Sequence, residues 1–323
     1  MSSQLAELLS PIANDMQEVN RVIRQRLNSE VVLIRTIGDY IIGAGGKRLR
    51  PALVLLIAKN LGYSGDKQAV MASVVEFIHT ATLLHDDVVD DSSMRRGQRT
   101  ANAMFGNPAS VLVGDYLYSR AFEMMVEVNS MEIMRVMAQA TTVISEGEVL
   151  QLLNVNDPDV TQERYLQVVR YKTAKLFEAA AVAGAILAQG SSAQQAAAAA
   201  YGRHLGTAFQ LIDDLLDYSG NAETLGKTVG DDLREGKPTL PLLRVLQVGT
   251  AEQKQVIRHA IETGEGDFMA VAHAIQQTDA LEHTRSAAQV EIDLAVDALA
   301  GLPDNEIRTV LQKVAGLSLS RDS

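Results

Sequence analysis

Two stretches of this chain share one pattern, an apolar run that ends in a cluster of carboxylates. The first is Leu83-Leu84-His85-Asp86-Asp87-Val88-Val89-Asp90-Asp91, the second Leu211-Ile212-Asp213-Asp214-Leu215-Leu216-Asp217. On a helix that turns about 100° per residue, Asp86 and Asp90 fall about 40° apart and one turn from each other, as do Asp213 and Asp217. Like charges that close raise one another's pKa, so such a cluster on a mostly apolar helix is unfavourable unless a cation sits among it. Two of them in one chain read as two walls of one metal-filled site.

The rest of the composition favours helices. Aromatic residues make up only 4% of the 323 residues, Trp and Cys are absent, and 47% of the chain is hydrophobic against 21% charged. Helices packed on helices suit that mixture better than a sheet. Without Cys there is no disulfide framework, thiolate zinc site or cysteine nucleophile. The net charge of −11 speaks against nucleic acid as a partner, and an anionic substrate must be drawn in by local cations or bound metal. The first residues lack the basic start and apolar core of a signal peptide, and no run of 18 apolar residues occurs, so the expectation is a cytoplasmic protein with no transmembrane segment.

Taken in order, the chain predicts one all-helical domain over residues 1–323. A helix is expected from about Gln4 to Leu27 and another from Val31 to Ile42, ending at Gly43-Ala44-Gly45-Gly46. Pro51 suits the first turn of a helix to about Asn60, Gly62 to Asp66 is a turn, and the helix carrying the first acidic stretch begins near Gln68. Ser92 to Gly97 reads as an exposed loop. Helical spacing then runs over Thr100 to Asn129 and Met131 to Leu153, stops at Asn156-Asp157-Pro158-Asp159, and resumes over Glu163 to Ala188 behind a cap at Thr161 or Asp159. The second acidic stretch closes a helix over Ala193 to Tyr218, Ser219 to Pro241 is polar, and Leu242 to Leu317 reads as shorter amphipathic helices without a catalytic pattern.

Magnesium takes oxygen ligands, keeps several waters, and is usually held by one or two carboxylates together with substrate phosphates. Two acidic helices would supply such ligands with room for a diphosphate. The nearby cations fit that use: Arg95 and Arg96 follow the first stretch, Lys227 and Lys237 the second, and Lys172 lies on the helix between. Lys47 and Arg50 stand by the glycine-rich break, where backbone N–H groups and a helix start add anion affinity. That is enough positive charge for two diphosphates.

Gly45-Gly46-Lys47-Arg48-Leu49-Arg50-Pro51, His85-Asp86-Asp87-Val88-Val89-Asp90 with Arg95-Arg96-Gly97, Lys172-Thr173, and Phe209-Gln210-Leu211-Ile212-Asp213-Asp214-Leu215-Leu216-Asp217 with Gly226-Lys227 and Gly236-Lys237-Pro238 follow one another in this order. In this the sequence resembles the trans-polyprenyl diphosphate synthases, and among them the bacterial octaprenyl enzymes of quinone side-chain synthesis. The resemblance covers nearly the whole chain. It implies an isoprenoid synthase-type helical bundle around a deep central cavity, a homodimer, and chain elongation of an allylic diphosphate such as farnesyl diphosphate with isopentenyl diphosphate, the product passing to membrane enzymes.

Carried onto this sequence, the resemblance makes Asp86, Asp90 and Asp213 the magnesium ligands and counts Asp87 and Asp214 among the catalytic residues. Arg95, Lys172 and Lys227 hold the allylic diphosphate, while Lys47, Arg50, His79 and Arg96 bind isopentenyl diphosphate, with Lys237 also on the substrate side. Thr173 and Gln210 point oxygen dipoles at the allylic cation. By helical geometry His79 falls about 20° from Asp86, His85 on the opposite side, and Gln210 with the second acidic cluster. In the family a bulky aromatic four or five residues before the first Asp stops growth early; Thr82 and Ala81 stand there, which implies a longer product. Met125 and Met137 are the expected floor of the cavity.

Taken singly, each element has a plainer reading: a solvated acidic patch, a basic turn, a core histidine, loop lysines, packed methionines. The ordered combination favours the enzyme. A class I terpene cyclase would share the first acidic motif but mix Asn, Ser or Thr and Glu in the second, and would have no use for an isopentenyl site. A non-catalytic partner subunit would have lost several of these positions.

Overall fold

The computed structural model describes residues 3–43, 45–95, 97–219 and 230–319. The expected all-α class holds: the regular structure there is helical apart from one two-residue antiparallel pairing. Backbone contacts divide the chain into two compact units, one of Met1–Gln139, Leu176–Gly202 and Ala298–Val314, the other of Ala140–Lys175, Arg203–Asp297 and Ala315–Ser323. Among the described residues no helix is long and apolar enough to cross a membrane.

In the first unit the single helix expected over Gln4 to Leu27 is three pieces: α1 (Ser3–Leu8), a 3₁₀ turn at Ser10–Ile12, and α2 (Ala13–Arg26). Pro11 lies in the first turn of the 3₁₀ piece, where its missing N–H costs nothing, but it cannot continue the helix before it. After α3 (Val32–Gly43) come α4 (Leu49–Asn60) and α5 (Gln68–Val89). Residues 51–58 of α4 and 71–78 of α5 are buried without a polar face, as befits helices enclosed by others. The helix expected over Thr100 to Asn129 is broken at Gly106, with φ 87°, into α6 (Ala101–Phe105) and α7 (Asn107–Val128), the latter with Pro108 in its first turn. α7 packs along α5, and a Cβ on Gly114 would lie 2.3 Å from His85 Nε2, so the His85 ring would have to turn aside.

The chain continues through α8 (Met131–Asn154), α9 (Gln162–Val168), α10 (Lys175–Leu187) and α11 (Ser192–Ser219). Thr161, one of the two expected caps, accepts the Arg164 N–H at 3.2 Å. The helix expected over Glu163 to Ala188 is interrupted by a π-helical turn at Val169–Ala174. After Gly230 follow α12 (Asp231–Arg234), α13 (Leu240–Val248), α14 (Ala251–Thr263), α15 (Phe268–Gln277), α16 (Ala280–Ala298) and α17 (Glu306–Leu319). The second unit packs around Val160, Tyr165, Leu211, Leu215 and Leu240, and around Tyr218, Leu242, Ile257, Ile261 and Val271.

Candidate active site

The first acidic stretch closes α5. Asp90 is its C-cap, with its N–H on the Asp86 carbonyl at 2.8 Å, so the carboxylates crowd the end of the helix that already carries partial negative charge. The three Asp side chains differ. Asp86 and Asp90 are half-buried, whereas Asp87 is 1% exposed and paired with Arg95, whose Nε donates to Oδ1 at 2.7 Å and whose Nη2 lies 2.6 Å from the same oxygen. Burial pushes the Asp87 carboxyl up and Arg95 only partly draws it back. Burial also opposes the charge on Arg95, but Asp87, helped by Asp86 and Asp90, offsets it and raises the guanidinium's pKa. Arg95 is thus anchored on Asp87. The stretch expected as a loop is a small hairpin pairing Met94–Arg95 with Gln98–Arg99; Asn102 Nδ2 ties it down by donating to the Asp87 carbonyl at 3.0 Å and the Ser92 carbonyl at 3.2 Å. His85 points the other way, as the helical geometry expects, with Nε2 3.3 Å from Asp115 Oδ1.

In the same unit, Arg50 Nη1 lies 3.2 Å from His79 Nε2, and the guanidinium carbon sits 4.4 Å from the centre of the Phe177 ring. Two of the side chains expected to bind isopentenyl diphosphate are therefore neighbours, and Lys47 precedes the first turn of α4. Ala81 is fully buried, and Thr82 turns its hydroxyl back to the His79 carbonyl at 2.8 Å.

In the second unit the acidic stretch lies at the end of α11, and its side chains again differ in burial. Asp213 is half-buried, while Asp214 is 3% exposed and held at both oxygens: Gln210 Nε2 donates to Oδ1 at 2.7 Å and the buried Tyr165 hydroxyl donates to Oδ2. Thr173 donates to Gln210 Oε1 at 2.9 Å and completes a chain of four side chains. Burial, then the charge of Asp232, drives the Asp214 pKa up to about 7, with the two hydrogen bonds pulling against it. Asp217 accepts the Asp232 N–H at 3.2 Å, and its carbonyl accepts the Gly230 N–H at 3.1 Å. It anchors the chain where it resumes.

Lys172 and Thr173 stand on the π-helical turn, a form that recurs at functional sites. Lys172 Nζ lies 2.6 Å from Glu148 Oε2 on α8. Gly147 permits that approach, since a Cβ there would lie 2.7 Å from the Lys172 backbone nitrogen. Sequence reasoning missed Glu148 and Tyr165; the Glu146-Gly147-Glu148 run was a signal for the first, nothing local for the second. Lys237 Nζ is 2.5 Å from Glu235 Oε2. Gly236 holds φ 66° in front of Asn156, whose Oδ1 would lie 1.9 Å from a Cβ. Arg96 and Lys227 lie outside the described residues. A cavity of about 660 Å³ is lined by Thr142, Ser145, Glu146, Val149, Leu150 and Tyr171, none of them assigned to the chemistry.

Residues 31–278, which contain every motif named above, match the model of the family described as polyprenyl synthetase. The chain belongs to the polyprenyl synthetase family. Among its relatives, the octaprenyl diphosphate synthase of Escherichia coli (strain K12) is 54% identical over 96% of this chain and 97% of its own length. That of Haemophilus influenzae is 51% identical over 95% and 94%. A polyprenyl synthase from Caulobacter crescentus CB15, solved in complex with calcium and isoprenyl diphosphate, superposes with a TM-score of 0.96 at 44% identity, covering 100% of this chain and 99% of that one. Polyprenyl synthetases are prenyltransferases, so the chain is an enzyme.

The chemistry of the expected ligands fits a hard divalent cation. The residues expected as ligands, Asp86 and Asp90 in the first unit and Asp213 in the second, each offer only carboxylate oxygens, and among the described residues no three His, Cys, Asp or Glu side chains already surround one point. Such a set suits an ion that completes its shell with water and phosphate oxygens, and does not suit zinc.

Proposed function

We propose that this polyprenyl synthetase is a magnesium-dependent trans-prenyltransferase that extends an allylic diphosphate, farnesyl diphosphate, with isopentenyl diphosphate to all-trans octaprenyl diphosphate for quinone side chains. The observation that carries the product length is the 54% identity to an octaprenyl diphosphate synthase over nearly the full chain. The small residues Ala81 and Thr82 ahead of Asp86 agree with a long product. The enzyme works as a cytoplasmic homodimer and passes its product to membrane enzymes.

Asp86, Asp90 and Asp213 would hold magnesium, which would supply Lewis acidity to the leaving diphosphate. Arg95, fixed by Asp87, and Lys172, fixed by Glu148, neutralise the same group as the allylic C–O bond breaks, with Lys227 in the same role. Asp214 accepts from the Gln210 amide nitrogen and Thr173 donates to the amide oxygen, which holds in one orientation the amide that would face the allylic cation. Lys47, Arg50, His79 and Arg96 bind isopentenyl diphosphate, and Lys237 supports the substrate side through its loop. The double bond of isopentenyl diphosphate forms the new C–C bond, and the departing diphosphate takes the proton that is lost, so no protein base is needed.

Incubation with farnesyl diphosphate, isopentenyl diphosphate and magnesium, followed by phosphatase treatment and mass analysis of the prenyl alcohols, tests the reading. A product of eight isoprene units is expected. A cyclic hydrocarbon formed without isopentenyl diphosphate, or no product at all, would overturn it.

A further inference from the structure

Between Lys47 and Arg50 stands a third cation, Arg48. Arg48 adopts the left-handed conformation, φ 51° and ψ 32°, immediately before α4, a strained geometry for a residue with a Cβ. Its carbonyl still opens the helix by accepting the Ala52 N–H at 3.1 Å. Its side chain turns inward: Nη1 donates to Oε1 of Glu76, and the two side chains are only 11% and 10% exposed. Glu76 lies one turn before His79 on α5, and His79 meets Arg50. Two rungs, Arg48 with Glu76 and Arg50 with His79, thus join the start of α4 to α5.

A buried ion pair is a poor way to hold two helices together, because the desolvation of both charges offsets much of their attraction. α4 and α5 already bury Leu53, Val54, Val74, Val75 and Ile78. What an ion pair adds is one geometry: the rigid, planar guanidinium reaches one carboxylate oxygen from a fixed direction. We propose that Arg48 and Glu76 are a positioning pair that fixes the strained backbone between Lys47 and Arg50, so that both cations and His79 meet the diphosphate of isopentenyl diphosphate, while Arg48 never touches substrate. The proposal rests on assigning Lys47, Arg50 and His79 to that substrate.

Steady-state kinetics and thermal melting of Arg48→Met/Glu76→Leu, Arg48→Lys and Lys47→Ala test it. The double variant keeps the volume of the pair without its charge. It should melt within a few degrees of the wild type and raise KM for isopentenyl diphosphate by about tenfold, with KM for farnesyl diphosphate within about twofold. Arg48→Lys, which retains charge but loses the rigid planar guanidinium, should show the same split at smaller size, and it carries the test if the double variant does not fold. An unchanged KM for isopentenyl diphosphate, or equal rises for both substrates, overturns the proposal. Lys47→Ala separates the two layers: a raised KM for isopentenyl diphosphate there, beside an unaltered double variant, removes the positioning pair alone. An unaltered KM in Lys47→Ala removes the underlying assignment and the proposal with it.

Discussion

The hydroxyl of Tyr165 donates to Oδ2 of Asp214 inside the second unit, and with Gln210 on the other oxygen it leaves that carboxylate no rotational freedom. Burial and the charge of Asp214 keep the phenol protonated, so it donates to the ionised carboxylate. Tyr165→Phe leaves one buried carboxylate oxygen short of a partner, at a cost of about 1–3 kcal/mol. It also loosens the Gln210 amide. The expected result is a kcat lowered by roughly tenfold with KM for both substrates little changed, measured beside a melting curve.

The same carboxyl makes stability depend on pH. Its pKa is raised to about 7 in the fold from an ordinary 3.8, so from about pH 4 to 7 the folded state keeps a proton that the unfolded state has lost. Stability therefore falls as pH rises through that window and levels off above it, by on the order of a few kcal/mol in all. Melting of chelator-treated protein between pH 5 and 8 should show this decline, and Asp214→Asn should flatten it. An identical slope in the variant would assign the effect to another group.

Neighbouring aspartates of the first stretch should respond in opposite ways. Asp86→Ala removes a half-buried carboxylate from the negative end of α5, so the metal-free protein should be unchanged or more stable by about 0.3–1 kcal/mol, while activity falls by orders of magnitude. Asp213→Ala should likewise lose activity with the fold intact. Asp87→Ala instead strands Arg95 without its partner, at on the order of 2–3 kcal/mol, discounted because Arg95 keeps 27% of its side-chain exposure. Paired melting and turnover measurements separate the two roles.

Gly147→Ala tests the π-helical turn. The added Cβ would meet the Lys172 backbone nitrogen at 2.7 Å and Tyr171 Cβ at 2.9 Å, both too close to be accommodated by a side-chain rotation. Either α8 or the turn must shift. A loss of about 1–3 kcal/mol is expected, together with a fall in kcat beyond what Glu148→Gln produces by releasing Lys172 alone.

What was legible in the sequence was whatever rests on local chemistry. α5 begins at Gln68 as expected, because Gly62 to Asp66 cannot continue a helix, and Thr161 caps α9 because its hydroxyl can reach an orphan N–H. Pro11 and Gly106 were equally visible, yet helical spacing on either side masked the breaks. The π-helical turn was not legible: one inserted residue shifts the hydrogen bonding within a helix without changing which residues are apolar. Nor were the pairs of Arg48 with Glu76 or Tyr165 with Asp214, whose partners lie 28 and 49 residues apart. The motif spacing identified the carboxylates, but only burial divides Asp86 from Asp87 and Asp213 from Asp214.

Product length offers the sharpest test of the methionines. Met125 and Met137 are 1% and 0% exposed, which fits core packing as well as the floor of an apolar cavity. The two roles differ in what truncation does. A packed methionine replaced by Ala leaves a hole, costs about 2–5 kcal/mol and leaves the product as it was. A methionine that closes the path of the growing chain gives way to the next isoprene unit, so Met125→Ala or Met137→Ala shifts the products beyond those of the wild type while turnover persists. Mass analysis of the dephosphorylated products, run beside a melting curve for each variant, reads both quantities at once. Longer products in either variant locate the floor at that residue, and an unchanged distribution with a lowered melting temperature assigns it to the core.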